Sequence, residues 1–177
     1  MTLRAEILKM GTLPAAWLSL LSLAALIAVA RGDVQYAQAG FLVLAVVTVA
    51  SEYAGGQMRT SLVAVPRRGK FLAAKVAVLG VTGGVAGVVA GHAWYLALVT
   101  LLAAAVALLM RGAVPALTVL LGWFFVAAPL LRGGARWVTY VPDAGRAAEG
   151  VRGMVVTGLW TLILLAAATV IFFRRDA

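Results

Sequence analysis

The stretch richest in residues able to do chemistry is Ser51–Lys75, SEYAGGQMRTSLVAVPRRGKFLAAK, which holds Glu52 and five basic residues. Gly69-Lys70 looks like the end of a phosphate-binding loop, but Phe71 follows where such a loop needs Ser or Thr. Arg68, Gly69 and Lys70 are therefore not a nucleotide site. The absence of cysteine excludes disulfides and thiolate metal sites, and the single histidine, His92, excludes a histidine-rich metal centre. There is no His-Glu-x-x-His helix, no Gly-x-Ser-x-Gly turn and no pair of aspartates inside an apolar run. The chain is expected to be no enzyme and to hold no metal or cofactor of its own. Any energised work would draw on another subunit.

The elements that must position this stretch are long apolar runs. Of 177 residues, 64% are hydrophobic and 12% charged, whereas soluble domains have about half and about a quarter. The net charge of +9 comes from 12 arginines and 3 lysines against 6 acids. In so apolar a chain it reads as basic residues in cytoplasmic loops rather than as nucleic-acid binding. Crossing the hydrocarbon core takes about 20 residues, and the candidate runs are Leu13–Ala30, Tyr36–Ala50, Phe71–Gly91, Trp94–Met110, Ala113–Leu131 and Met154–Phe173. None shows the alternation that a membrane barrel requires. The expected fold is all-α: one polytopic membrane domain, residues 1–177, of about six transmembrane helices. Tyr36–Ala50 is short, and Lys75 lies one turn inside its run, where it can snorkel. No Asp or Glu falls inside a run, which argues against a proton relay or an intramembrane cation site.

Basic residues set the orientation. With the N-terminus inside, the inner segments carry Arg4, Lys9, Arg59, Arg67, Arg68, Lys70, Lys75, Arg111, Arg174 and Arg175, ten in all. The outer segments carry Arg31, Arg132, Arg136, Arg146 and Arg152, five in all. Both termini are expected in the cytoplasm. Ala28-Val29-Ala30 resembles a signal-peptide cleavage site, but the apolar run before it is longer than about 15 residues, so it is read as a span. In residues 1–10, Leu3, Ile7 and Met10 share one helical face, which suits an interfacial helix. A plain charged start is the alternative.

Residues 51–70 form the expected cytoplasmic loop. Between Gly56 and Pro66, Met58, Leu62 and Val65 recur at helical spacing with Arg59 near the same face, and Pro66 ends the pattern. A short helix presenting apolar and basic groups to water suits a partner site, and an ordinary positive-inside loop is the alternative. The next run carries Gly80, Gly83, Gly84, Gly87 and Gly91, two overlapping small-residue stripes that let another helix approach closely. They serve static packing or a moving interface. Trp17, Trp94, Trp123, Trp137, Trp160, Tyr36, Tyr53, Tyr95 and Tyr140 mostly lie near run ends, as interfacial anchors do. Trp123 and Trp160 sit deeper, where they could line a pathway. His92 suits a solvated or helix-capping role. In the outer loop, 132–152, Asp143, Arg146, Glu149 and Arg152 recur every three residues, the pattern of a self-paired solvated face or of a substrate gate.

The loop Ser51–Lys75 resembles the first cytoplasmic loop of the permease subunits of ABC exporters, in the branch of bacterial antibiotic-export and lantibiotic-immunity permeases. The residues that carry the likeness are Glu52, Gly56, Arg59, Leu62, Pro66, Arg67, Arg68 and Lys75. Tyr140-Val141-Pro142-Asp143-Ala144-Gly145 and the ending Arg174-Arg175-Asp176-Ala177 are similar to such permeases as well. The resemblance implies that Gly56–Pro66 is a coupling helix seated in a cleft of a cytoplasmic ATPase, with Arg59 and Leu62 as contacts. It further implies that ATP and Mg are bound by that ATPase and that the permease works as a pair in a bacterial plasma membrane. Relatives have a longer first outer connection than residues 31–38, so the pair is either two copies of this chain or this chain with a different permease. The implied cargo is a hydrophobic or amphipathic compound: an antibiotic, a peptide or a lipid-like molecule. A non-transporting scaffold that docks a cytoplasmic protein through the same loop is the alternative function.

Overall fold

A computed structural model describes residues 21–28, 33–54, 68–132, 139–144 and 150–175. Among these residues the chain is all-helical and without strands. Five helices are long and apolar enough to cross a membrane: α1 Val34–Ala54, α2 Arg68–Val89, α3 Ala93–Met110, α4 Ala113–Leu131 and α5 Val151–Arg175. A further helical segment, 21–28, belongs to the first apolar run, most of which lies outside the described residues. So do residues 1–10 and 55–67, which hold the expected interfacial helix and Gly56, Arg59, Leu62, Pro66 and Arg67.

The helix bounds correct several expected ones. α1 runs over 21 residues, two residues earlier and four later than the apolar run, so Glu52 and Tyr53 are helical and not part of a loop. Asp33 sets the start: its carboxylate accepts the Gln35 N–H at 2.8 Å, satisfying a donor that the first turn leaves free. α2 begins at Arg68, so the loop expected over 51–70 shrinks from both sides. Lys75 then lies two turns inside the helix, and at 3% exposure it is covered by protein and does not snorkel outward.

α3 is the hub, packing against α1, α2 and α5. In α1 and α3, 61% of the spanning window is buried within the chain, against 22% in α4 and α5. The core is therefore α1 on α3, with the other helices keeping broad apolar faces turned outward. Because α3 is Ala- and Leu-rich, helix formation there is intrinsically favoured, and small side chains bring neighbours close. The closest approach is that of α2. A Cβ on Gly83 would lie 2.9 Å from Thr100 Cβ, and one on Gly87 would lie 2.9 Å from Ala93 Cα. Gly80 and Gly84 are looser, with nearest atoms of α3 at 3.5 and 3.9 Å.

Gly91 does something else. Its φ of +78° places it in the left-handed region. Its N–H donates to Val88 O at 3.1 Å, while the His92 N–H donates to Gly87 O at 3.0 Å. That double bond pattern is a Schellman cap ending α2, so Gly91 terminates the helix and does not extend the packing stripe. α5 packs on α3 with Thr157 and Thr161 buried. The Thr157 hydroxyl donates within α5 to Gly153 O, and Thr161 Oγ1, which donates to Thr157 O at 2.7 Å, lies 3.3 Å from Leu98 O of α3.

Candidate functional site

Two features stand out against this apolar frame, and they adjoin: a cluster of paired polar side chains and an apolar cavity beneath it. The cluster lies at the ends of α1 and α4 that face loop 132–150, opposite the end that joins α1 to α2, and the cavity runs from there along the middle of α4 and α5 to the Met110 end of α3.

The polar cluster starts from a fault in α4. Residues Gly122–Ala127 form a π-helical turn, in which the Ala128 N–H donates back five residues to Trp123 O. The next donor in that register would be residue 129, serving Phe124 O. That residue is Pro129, which has no N–H. Gln35 of α1 supplies the missing donor, its Nε2 donating to Phe124 O at 2.8 Å. The other amide atom, Gln35 Oε1, accepts from Arg132 Nη2 at 2.8 Å. Arg132 also donates from Nε to Asp143 Oδ2 at 2.7 Å, and its Nη2 contacts Asp143 Oδ1. The Asp143 side chain is fully buried, whereas Arg132 is 36% exposed. This two-pronged pairing fixes orientation as well as charge. Asp143 therefore does not sit on a solvated ladder of alternating charges; it is buried, and Arg132 holds it. Arg146 and Glu149 lie outside the described residues, and the Arg152 guanidinium sits 5.9 Å from the centre of the Tyr140 ring.

A second polar pair lies deeper. Tyr95 donates its hydroxyl to Gln38 Oε1 at 2.6 Å. Both residues are essentially inaccessible, so Tyr95 is an internal tie between α3 and α1 and not an interfacial anchor. Gln38 Nε2 has no hydrogen-bond partner among the described residues. Trp94, Tyr36 and Tyr140 are exposed. His92 is half-buried in the α2–α3 turn, with Nδ1 3.1 Å from Ala90 O.

The cavity has a volume of about 400 Å³, is lined by α3, α4, α5 and residues 141–142, and is open on one side. α3 contributes Leu102, Val106 and Met110, and α4 contributes Val119, Trp123 and Ala127. α5 supplies Trp160 and Leu164. Both of the deeper tryptophans thus face one space. Their indole N–H groups are already used: Trp123 Nε1 donates to Pro142 O at 2.9 Å and Trp160 Nε1 to Tyr140 O at 2.7 Å. Trp123 lies eight residues before the end of α4, about 12 Å along the axis. Residues 139–144 are therefore tucked down between α4 and α5 rather than lying across their ends. The residues that line the cavity are all apolar. It can hold something apolar.

At the opposite end, α1 stops at Ala54 and α2 starts at Arg68, so Glu52 and Arg68 flank the segment that carries the family-like motif. Arg111, in the left-handed region with φ of 54°, turns α3 into α4 there, its guanidinium 5.7 Å from the centre of the Tyr53 ring. Sequence reasoning missed Gln35, Gln38 and the Arg132–Asp143 pair. The signal available was a proline inside a span together with two glutamines three residues apart at the head of another. No protein-family model, curated protein or solved structure matches the chain.

Proposed function

We propose that this chain is the membrane-spanning permease subunit of an ABC exporter, moving a hydrophobic or amphipathic compound out of a bacterial cell. The observation that carries the proposal is the stretch from Glu52 to Lys75. Its residue types and spacing are those of a coupling loop, and it joins two helices of membrane length. Six spans, the first of them Leu13–Ala30, place both termini on the cytoplasmic side. The charge distribution supports that orientation. Arg68, Lys70, Arg111, Arg174 and Arg175 cluster at the helix ends beside the loop, where Glu52 is the one acid among the described residues. At the other end the described cations are Arg132 and Arg152, with Asp33 and Asp143 beside them. The basic excess thus falls on one side, as the positive-inside rule requires.

In this reading the ATPase activity, with its ATP and Mg, belongs to a separate cytoplasmic subunit. Gly56–Pro66 docks into it, Arg59 and Leu62 make contact, and Glu52, Arg67 and Arg68 flank the joint. A second permease chain, the same or different, completes the assembly. Movement of the ATPase is passed to α1 and α2 as rigid bodies, which needs no charge within the spans. The wholly apolar cavity supports a hydrophobic cargo.

The test is co-purification with the soluble ATPase of a neighbouring reading frame, one carrying Gly-x-x-x-x-Gly-Lys-Ser/Thr. Arg59→Glu or Leu62→Asp is expected to abolish the complex while leaving the permease folded. A complex that survives both changes removes the coupling role.

A further inference from the structure

We infer that the cavity between α3, α4 and α5 is a binding site for a single unbranched alkyl chain, the tail of an amphiphile whose head stays outside. The inference rests on the permease reading only in treating the ligand as cargo; the binding itself is argued from the cavity alone.

Shape comes first. The lining on α3 runs from Leu102 to Met110 and on α4 from Val119 to Ala127, eight residues in each case, or about 12 Å of helix. Because α3 and α4 run antiparallel from the turn at 111–112, these stretches cover successive depths, about 20 Å in all. Over that length about 400 Å³ leaves a cross-section near 20 Å², a bore of roughly 5 Å. That is the girth of one hydrocarbon chain or one ring edge, and too narrow for a folded peptide or a fused polycyclic body. The volume itself is within the range of small-molecule sites, about 300–1,000 Å³.

Chemistry narrows the class further. Every lining residue is apolar, and the two indole N–H groups are held by the carbonyls of Pro142 and Tyr140. A ligand burying a hydroxyl, amide or charge here would meet no partner for it and would lose its hydration. Water gains nothing either, since apolar cavities of this kind stay dry. An occupant must therefore be hydrocarbon along its whole buried length. Access is from the side: Met110, Val119 and Trp160 line the cavity yet are between a third and a half exposed, on helix faces that otherwise meet lipid. A chain can slide in from the membrane while residues 139–144 close the cavity toward the loop.

The test uses the tryptophans that line the site. In the full chain Trp17, Trp94 and Trp137 are replaced by Phe, leaving Trp123 and Trp160, and the protein is held in lipid nanodiscs without the ATPase. Dibromostearic acid is titrated in one arm and dibrominated phosphatidylcholine in the other, bromine quenching indole fluorescence on contact. Saturable quenching in at least one arm is expected, and the arm that saturates shows whether the chain comes from a free amphiphile or from bilayer lipid. Ala127→Phe fills the cavity, and Val119→Phe narrows its rim at a site that tolerates a larger ring. Each is expected to raise the half-saturating mole fraction about tenfold. Quenching that rises linearly in both arms, or a midpoint unchanged by both substitutions, overturns the inference. Because no ATPase is present, failure here and failure of the loop to dock are separate results.

Discussion

Among the described glycines the tightest contact is that of α2 on α3 at Gly83, and Gly83→Ala tests it. An added Cβ would lie 2.5 Å from Thr100 Oγ1, 2.9 Å from Thr100 Cβ and 3.3 Å from Ala97 Cα. Carbon atoms pack best at about 3.5–4.0 Å, so the overlap with Thr100 Cβ alone is roughly 0.6–1.1 Å. Rotating the threonine does not relieve it, because Cβ does not move with χ1. Rotation would also release the bond from Thr100 Oγ1 to Leu96 O, 2.7 Å long. The helices must therefore part by a fraction of an ångström. Overpacking of this kind costs about 1–3 kcal/mol, against which alanine returns roughly 0.5–1 kcal/mol of helix propensity. Gly83→Ala is expected to destabilise by about 1–2 kcal/mol. Gly84→Ala, where the new Cβ meets only Ala97 Cβ at 3.9 Å, is expected to be neutral or slightly stabilising.

The assay is reversible unfolding by SDS in mixed micelles, read by circular dichroism, with the two variants compared under one condition so that micelle effects cancel. Adding Thr100→Gly removes the clashing Cβ, and the double variant should be less destabilised than the sum of the two singles, by at least about 0.5 kcal/mol. If Gly83→Ala proves as stable as Gly84→Ala, the close approach of α2 to α3 does not exist and the packing described for the hub is wrong.

Arg132→Met leaves the buried Asp143 carboxylate without its guanidinium and is expected to destabilise by about 2–3 kcal/mol in the same unfolding assay, the lower end of the range for buried pairs because Arg132 is partly exposed. Arg132→Met with Asp143→Leu should recover part of that loss. Gln35→Ala removes the donor to Phe124 O and is expected to lose about 1 kcal/mol. Pro129→Ala in that background restores a backbone N–H in register and should recover stability; further loss would mean that the π turn is not held in this way. Tyr95→Phe leaves Gln38 Oε1 without the Tyr95 hydroxyl and is expected to destabilise by roughly 1–2 kcal/mol, while Tyr36→Phe, at an exposed position, changes little.

Hydropathy located the spans well because a membrane helix needs length and little else. Ala113–Leu131 coincides with its apolar run at both ends. It did worse where helices continue through polar residues: Ser51, Glu52 and Tyr53 are helical in the structure, yet a hydropathy window treats them as loop. Glycine spacing pointed to the α2–α3 contact but not to its limit, since Gly91 keeps the four-residue rhythm while serving as a cap. The polar cluster was largely illegible. Gln35 and Arg132 meet across 97 positions, and each alone reads as an ordinary residue at a span end. Asp143 misled because its spacing with Arg146 suggested a pairing along one helix, whereas Arg132, eleven residues earlier at the end of α4, binds it. The coupling motif and the interfacial helix at 1–10 fall outside the described residues and stand on sequence pattern alone.

Lipid is as apolar as leucine, so burying leucine against leucine cannot fix how these helices sit. Other devices must do so, and they are unevenly placed. Glycine contact sets α2 on α3, the Gln38–Tyr95 bond and the tight approach of Gly40 to Leu23 set α1, and the approach of Thr161 to Leu98 O sets α5. α4 is tied chiefly at its far end, through Gln35, Arg132 and Asp143, on the side toward α1 and the loop. On its other flank, toward α5, the two indole bonds to residues 140 and 142 tie α4 and α5 to one loop segment. The cavity lies on that flank. Space survives on this flank because no close glycine contact among the described residues draws α4 onto α5, which is why an apolar chain can enter there without breaking the contacts that hold the fold.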